Sequence, residues 1–248
     1  VRQVRAGAGI LTVRRASSVG LPQKRRARVG KDLVNVTGMR FASREQAAHQ
    51  LAEQLGRFRQ HRPLALGVPR GGVPMARVVA DALDCDFEVV LVRKLRTPEQ
   101  PDLAMGAVDE AGRVHHFATR AAVRPDLYAD EVAAQVAEIQ RRRQLYSRAS
   151  PPLSPEGHAA IIVDDGMATG ATMVAAIKAV RACRPLRVVA AVPVAARSAL
   201  DLARSYADEV VCLHSPRIFY AVGDCYDDFP TVADSDVVTL LEARGLRS

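Results

Sequence analysis

Apolar residues first fall at helical spacing at Ala47, Leu51, Leu55 and Phe58, which predicts a helix over 43–60. Ser43 stands at its start with Gln46 three residues on, the pattern of a capping box. The period then changes. Leu64-Ala65-Leu66-Gly67-Val68 is a short continuous apolar run, the mark of a strand buried on both faces. Pro69-Arg70-Gly71-Gly72 ends it, ahead of a helical stretch over 74–83.

Residues 87–92 are rich in β-branched side chains and read as a second short strand. Arg93-Lys94 follow it, and Thr97-Pro98-Glu99-Gln100-Pro101 predict a loop over 95–104 long enough to move. Residues 104–117, interrupted at Glu110-Ala111-Gly112, predict a hairpin. A charged helix is expected over 126–147 with Val132, Val136, Ile139 and Tyr146 on one side, closed by a Ser/Pro linker over 150–155.

After that the strand-turn-helix unit repeats: strand 159–163, turn 164–170, helix 171–183, strand 186–194, helix 196–206, strand 209–213. The stretch 215–230 has many aromatics and few signs of regular structure, and 235–241 fits a last helix or strand. Such alternation implies an α/β fold: a central parallel sheet with helices on both faces, Rossmann-like in outline.

The segment with the clearest chemistry is Ile161-Ile162-Val163-Asp164-Asp165-Gly166-Met167-Ala168-Thr169-Gly170-Ala171-Thr172. Backbone N–H groups of a small-residue turn, together with the positive end of the helix it opens, make an anion nest. Thr169 and Thr172 add hydroxyl donors. Two adjacent carboxylates at the end of a buried strand suit vicinal hydroxyls, directly or through metal-bound water. No Lys-Ser or Lys-Thr follows, which excludes a Walker A loop, and Gly166 to Gly170 has the wrong spacing for a dinucleotide fingerprint. A methyltransferase-like glycine loop is the nearest competitor, but its central glycine is missing.

This run of apolar residues, two acids and Gly-x-Ala-Thr-Gly-x-Thr resembles the phosphoribosyl-diphosphate signature of type I phosphoribosyltransferases. The resemblance extends over about 40–245 and is similar to an uncharacterised bacterial group of that family. It implies transfer of 5-phosphoribosyl between 5-phosphoribosyl 1-diphosphate and a small nitrogenous base, with Mg2+ as cofactor. Asp164 and Asp165 would hold the ribose hydroxyls and, through water, the metal; Gly166 and Met167 belong to the same phosphoribosyl-diphosphate-binding run, in which Ala168, Thr169, Gly170, Ala171 and Thr172 would hold the 5-phosphate. Pro69, Arg70, Gly71 and Gly72 match the family's diphosphate loop, where a cis non-proline peptide is common. Arg93 and Lys94 resemble the basic pair ahead of a mobile catalytic loop.

A small hood over the base falls at 215–230, with Phe219 or Tyr226 as stacking rings; those rings equally suit packing of the tail onto the core. The helix over 126–147 reads as an insertion and as a surface on which two copies could pair. The same fold also serves regulators that sense phosphoribosyl diphosphate without turnover.

Composition changes this picture little, and charge changes it at one end. The chain carries a formal net charge of +8, but residues 1–40 hold ten Lys or Arg against one acid, while the rest holds 25 basic and 26 acidic residues. A nucleic-acid partner is therefore expected only through a disordered leader over 1–38, ahead of a domain over 39–248. Cys85, Cys183, Cys212 and Cys225 are scattered without a CxxC pair, and His115-His116, on a strand, point to opposite faces, so neither suggests a metal site. No apolar run reaches about 18 residues and the start lacks a secretory-type stretch, so a cytoplasmic location without membrane association is expected.

Overall fold

A computed structural model of the chain describes residues 40–97, 100–116 and 125–244. The expected leader over 1–38 lies outside the described residues, as do parts of the expected 95–104 loop and the end of the 104–117 hairpin.

Five parallel strands form the central sheet in the order β2-β1-β6-β7-β8. They are β1 (Pro63–Gly67), β2 (Asp86–Val89), β6 (Ala159–Val163), β7 (Arg187–Val194) and β8 (Glu209–His214). Both faces are buried, which is why these strands read as continuous apolar runs. Ala65, Ile161, Val163, Val189 and Ala191 face a core shared with α1 (Arg44–Leu55), α2 (Gly72–Leu83) and α6 (Asp234–Arg244). Leu64, Leu66, Ala160, Ile162 and Val188 face the other core, with α4 (Ala171–Arg181) and α5 (Arg197–Arg204).

Helix α1 starts as its sequence predicts. The Ser43 hydroxyl accepts from the Gln46 N–H at 3.2 Å, and Gln46 Oε1 reaches back to the N–H of Ala42 at 2.8 Å, one residue earlier than in a standard capping box. Beyond Leu55 the chain tightens into a 3-10 turn over Gly56–His61.

The region expected to hold one strand and a loop is organised differently. The strand expected over 87–92 is two strands that belong to different sheets: β2 ends at Val89, and β3 (Val92–Thr97) begins a separate antiparallel sheet with β4 (Gln100–Asp109) and β5 (Val114–His116). Pairing of Val92 through Thr97 with Asp109 through Gln100 absorbs most of the expected loop into a hairpin. Pro101 is the second residue of β4, at the turn end of the ladder, where a strand tolerates it.

Helix α3 (Pro125–Ala149) packs on β3 and α6, and Ile139 and Tyr146 are buried as their spacing predicts. It is tied to its own domain by polar contacts, among them the Tyr146 hydroxyl donating to Asp234 at 2.8 Å and Arg143 to Glu110 and Glu88. Among the described residues no helix is long and apolar enough to cross a membrane.

The outer edge of β2 is sealed by charge. Arg244, at the end of α6, donates to the Phe87 carbonyl and to Glu88, both at 2.8 Å, and also to Ser150 and the Pro151 carbonyl. Glu88 is 4% exposed and accepts further bonds from the N–H groups of Val89 and Leu153. Removing one partner of such a buried pair strands the other charge. Arg244→Ala is expected to lower unfolding stability by about 3 kcal/mol in urea titration; a loss under about 1 kcal/mol would show that Arg143 and the backbone donors alone satisfy Glu88.

Candidate active site

Strand order reverses between β1 and β6: from β1 the chain moves to β2 on one side, from β6 to β7 on the other. Their following helices, α2 and α4, consequently lie on opposite faces, and a crevice opens where the two strands end. Gly67 is in register with Val163, so the turns that follow, 68–71 and 164–170, start side by side.

They touch. A Cβ on Gly72 would stand 2.3 Å from the Val163 carbonyl oxygen and 3.0 Å from the Asp164 Cα, and a Cβ on Gly71 would stand 1.9 Å from Asp165 Oδ2. Only glycine allows this approach. The peptide between Pro69 and Arg70 is cis. Both turns feed helix N-termini; at α2 the N–H groups of Gly72 and Val73 donate to the Val68 and Arg70 carbonyls and Pro74 has none, while at α4 the Ala171 N–H donates to the Thr169 hydroxyl at 3.4 Å.

The two acids differ in their surroundings. Asp164 accepts from the Asp165 N–H at 2.9 Å, and burial, reinforced by the Asp165 charge, pushes its carboxyl well above the usual carboxylate range. Burial also raises Asp165, opposed by Arg44, whose Nε donates to Asp165 Oδ2 at 2.9 Å. Arg44 Nη1 donates to the Pro230 carbonyl at 2.6 Å, and its guanidinium carbon lies 3.6 Å from the centre of the Phe229 ring. The Tyr226 hydroxyl donates to the Asp165 carbonyl at 2.6 Å. Beside this cluster Arg44, Arg70, Gly71, Phe229, Pro230 and Thr231 line a hollow of about 250 Å3. A roomier cavity of about 470 Å3 lies by β2, the 152–155 linker and Ala179 to Cys183, at the opposite end of α4 from the 164–170 turn.

A family model for the phosphoribosyl transferase domain matches residues 41–230. The chain belongs to the type I phosphoribosyltransferase family. Rv0571c of Mycobacterium tuberculosis, a phosphoribosyl transferase by name alone, is 40% identical over 205 residues. That match covers 82% of this chain and 46% of Rv0571c, so the chain spans about half the length of this curated relative. TT1426 from Thermus thermophilus, known as a crystal structure, is 41% identical with a TM-score of 0.72, over 83% of this chain and 99% of TT1426.

Within this phosphoribosyltransferase-family domain, the residues proposed from sequence do not stand on equal terms. Asp164, Asp165, Gly71 and Gly72 are brought into contact, with Arg70 at the rim. Ala168 and Thr169 are exposed on the turn, and Thr172 is half-buried in the first turn of α4. Met167 is placed otherwise: its side chain is buried, its N–H donates to the Val194 carbonyl at 2.9 Å, and its carbonyl accepts from Ala196. It anchors the turn to β7 and has no N–H left for a ligand. Gly170 and Ala171 are buried at the base of the turn.

Arg93 and Lys94 lie inside β3 and not at a strand end before a loop, so they point to opposite faces. Arg93 donates to Gln135 of α3 at 2.7 Å, and burial lowers its pKa. Lys94, paired opposite Ala107, is on the face that β3 and β4 present to α4. Tyr226 corrects the expected stacking platform: it is 2% exposed, with Phe41 at 5.7 Å and Phe229 at 4.8 Å between ring centres. Phe219 is half-buried against the same core. The rings pack the tail, and Tyr226 reaches the site through its hydroxyl. His115 and His116 take different partners, Asp109 at 3.0 Å and Tyr128 at 3.3 Å.

Arg44 was invisible in the motif. Its one sequence signal is a cation in the first turn of a helix, where the macrodipole disfavours it unless a tertiary partner compensates.

The raised aspartates make stability depend on pH in a defined direction. A folded chain that holds these protons more tightly than the unfolded chain loses stability as pH rises from the ordinary aspartate range upward. In Mg2+-free buffer, Asp164→Asn is expected to reduce that decline and to exceed the wild type in stability at neutral pH. Urea titrations from pH 4 upward read this; equal slopes for the two proteins contradict it.

Proposed function

We propose that the chain transfers 5-phosphoribosyl between 5-phosphoribosyl 1-diphosphate and a nitrogenous base. The observation that carries this reading is the direct contact of the Gly71-Gly72 turn with the Asp164-Asp165 turn at the sheet's switch point. One turn then lies within reach of the diphosphate and the other of the phosphate and sugar of a single ligand.

The roles follow from chemistry. N–H groups of Gly166, Ala168, Thr169 and Gly170, with those opening α4 and the hydroxyls of Thr169 and Thr172, hold the 5-phosphate. Asp164 and Asp165 accept from the ribose hydroxyls. The Arg70 side chain, with the N–H groups of Arg70 and Gly71, holds the diphosphate, and Lys94 adds positive charge from the hairpin. The C1–O bond to diphosphate breaks, an oxocarbenium-like ribose forms, and a ring nitrogen of the base closes the new C1–N bond and releases its proton. The chain's part is positioning, charge neutralisation and exclusion of water from the activated sugar.

Mg2+ fits the donors present. Two adjacent carboxylates at the crevice are hard oxygen ligands, and among the described residues no cluster of three or more His, Cys, Asp or Glu competes with them. This matches an ion held largely by substrate oxygens with Asp164 and Asp165 directly or through water, where it would neutralise charge on the departing diphosphate. The base would enter beside the 219–231 segment, with Phe219 the remaining ring for it to meet. A nucleotide-forming role inside the cell, and pairing of two copies, accompany this reading.

The test is a screen of purine, pyrimidine and nicotinate-type bases with labelled 5-phosphoribosyl 1-diphosphate and Mg2+. Base-dependent diphosphate release is expected from the wild type and a drop of at least about a hundred-fold from the Asp164→Asn, Asp165→Asn variant. Tight binding of the phosphoribosyl ligand with no release on any base contradicts turnover and leaves a sensor.

A further inference from the structure

We propose that Arg44 is a positioning residue for the sugar-binding acid pair, and that through it Asp165 and the 226–231 segment are held as one unit. The proposal rests on the phosphoribosyl diphosphate reading above and deepens it by naming a residue outside both loops.

Each part of the Arg44 guanidinium has a different engagement. Nε donates to the Asp165 carboxylate at 2.9 Å, Nη1 to the Pro230 carbonyl at 2.6 Å, and the flat face rests on Phe229 at 3.6 Å. A planar fork can make all three at once; an ammonium group cannot. Asp165 is tied to the same C-terminal segment a second time, by the Tyr226 hydroxyl on its backbone carbonyl. Main chain and side chain of one acid are therefore both fixed by 226–230.

The pair is not an ordinary surface ion pair. The Arg44 and Asp165 side chains are 12% and 16% exposed, so little solvent screens them. The cost of a cation at the start of α1 also argues for a specific partner. Gly71 packs against the same carboxylate, leaving no room for a Cβ between them. Arg44 thus sets where the carboxylate points, and the substrate's hydroxyls meet an acceptor already in place.

A simple structural clasp would make a different prediction from a positioning residue. A clasp affects every ligand alike, through stability of the domain. Loss of Asp165 positioning weakens binding of ligands that carry ribose hydroxyls more than that of inorganic diphosphate, which meets Asp165 only through Mg2+. Calorimetric titrations with Mg2+ would use three probes, 5-phosphoribosyl 1-diphosphate, ribose 5-phosphate and inorganic diphosphate, on wild type, R44Q, R44K and F229L, with thermal midpoints recorded for each.

R44Q is expected to weaken the two ribose-bearing probes about ten-fold and diphosphate less than about two-fold. R44K should recover part of the loss, because it keeps the charge without the fork. F229L should give a smaller loss of the same selectivity and add nothing in the R44Q background, since it acts through Arg44. If R44Q fails to fold, the ratio between probes is read from R44K and F229L. Equal weakening of all three probes, weakening of diphosphate alone, or an unchanged R44Q overturns the proposal. A wild type that binds 5-phosphoribosyl 1-diphosphate while R44Q matches it removes this proposal only; a wild type that binds none of the probes removes the functional reading as well.

Discussion

The crevice depends on the close approach of two backbones. β1 and β6 are neighbours in register, so the turns leaving them are forced together at the carboxyl edge of the sheet. Glycine at 71 and 72 lets them meet without a side chain between. Reversal of strand order at the same point sends α2 and α4 to opposite faces, and two helix N-termini open onto one crevice. The topology that buries the sheet on both faces also brings a glycine turn against an acid pair.

That arrangement is electrostatically unfavourable without a ligand. Two carboxyl groups, both raised by burial, share the end of β6, with a single guanidinium against one of them. The cost of burying them falls on the free protein, a pattern that gathers at functional sites. The rest of the domain offsets it with ties elsewhere, among them the Glu88–Arg244 pair under the sheet edge and the α3 contacts with Asp234 and Arg93.

Much of the frame was legible in the sequence because its signals are local. The apolar runs at β1, β6 and β7, the Ser43 and Gln46 cap, and the strand-acid-acid-turn-helix order are each set by neighbouring residues. The phosphoribosyl motif belongs to the same class. What the sequence concealed is set by tertiary pairing. The region after Val92 looks like a loop because its prolines and charges suppress strand propensity, yet pairing with β4 makes it a strand and turns Arg93 and Lys94 apart. Tyr226 reads equally as a stacking ring or a core ring, because aromatic residues mark both pockets and cores; only the positions of Phe41 and Phe229 decide between them. Arg44 and Asp165 are 121 positions apart in the sequence, and no local pattern connects them.

The central claim is that two touching turns form one site for one sugar phosphate. A crystal structure of the chain with 5-phosphoribosyl 1-diphosphate and Mg2+ tests it most directly. The account predicts the 5-phosphate on the 166–172 turn, the ribose hydroxyls on Asp164 and Asp165, and the diphosphate against Arg70 and Gly71. A ligand bound elsewhere, or one that bridges neither turn while both aspartates stay turned away from it, would contradict the account.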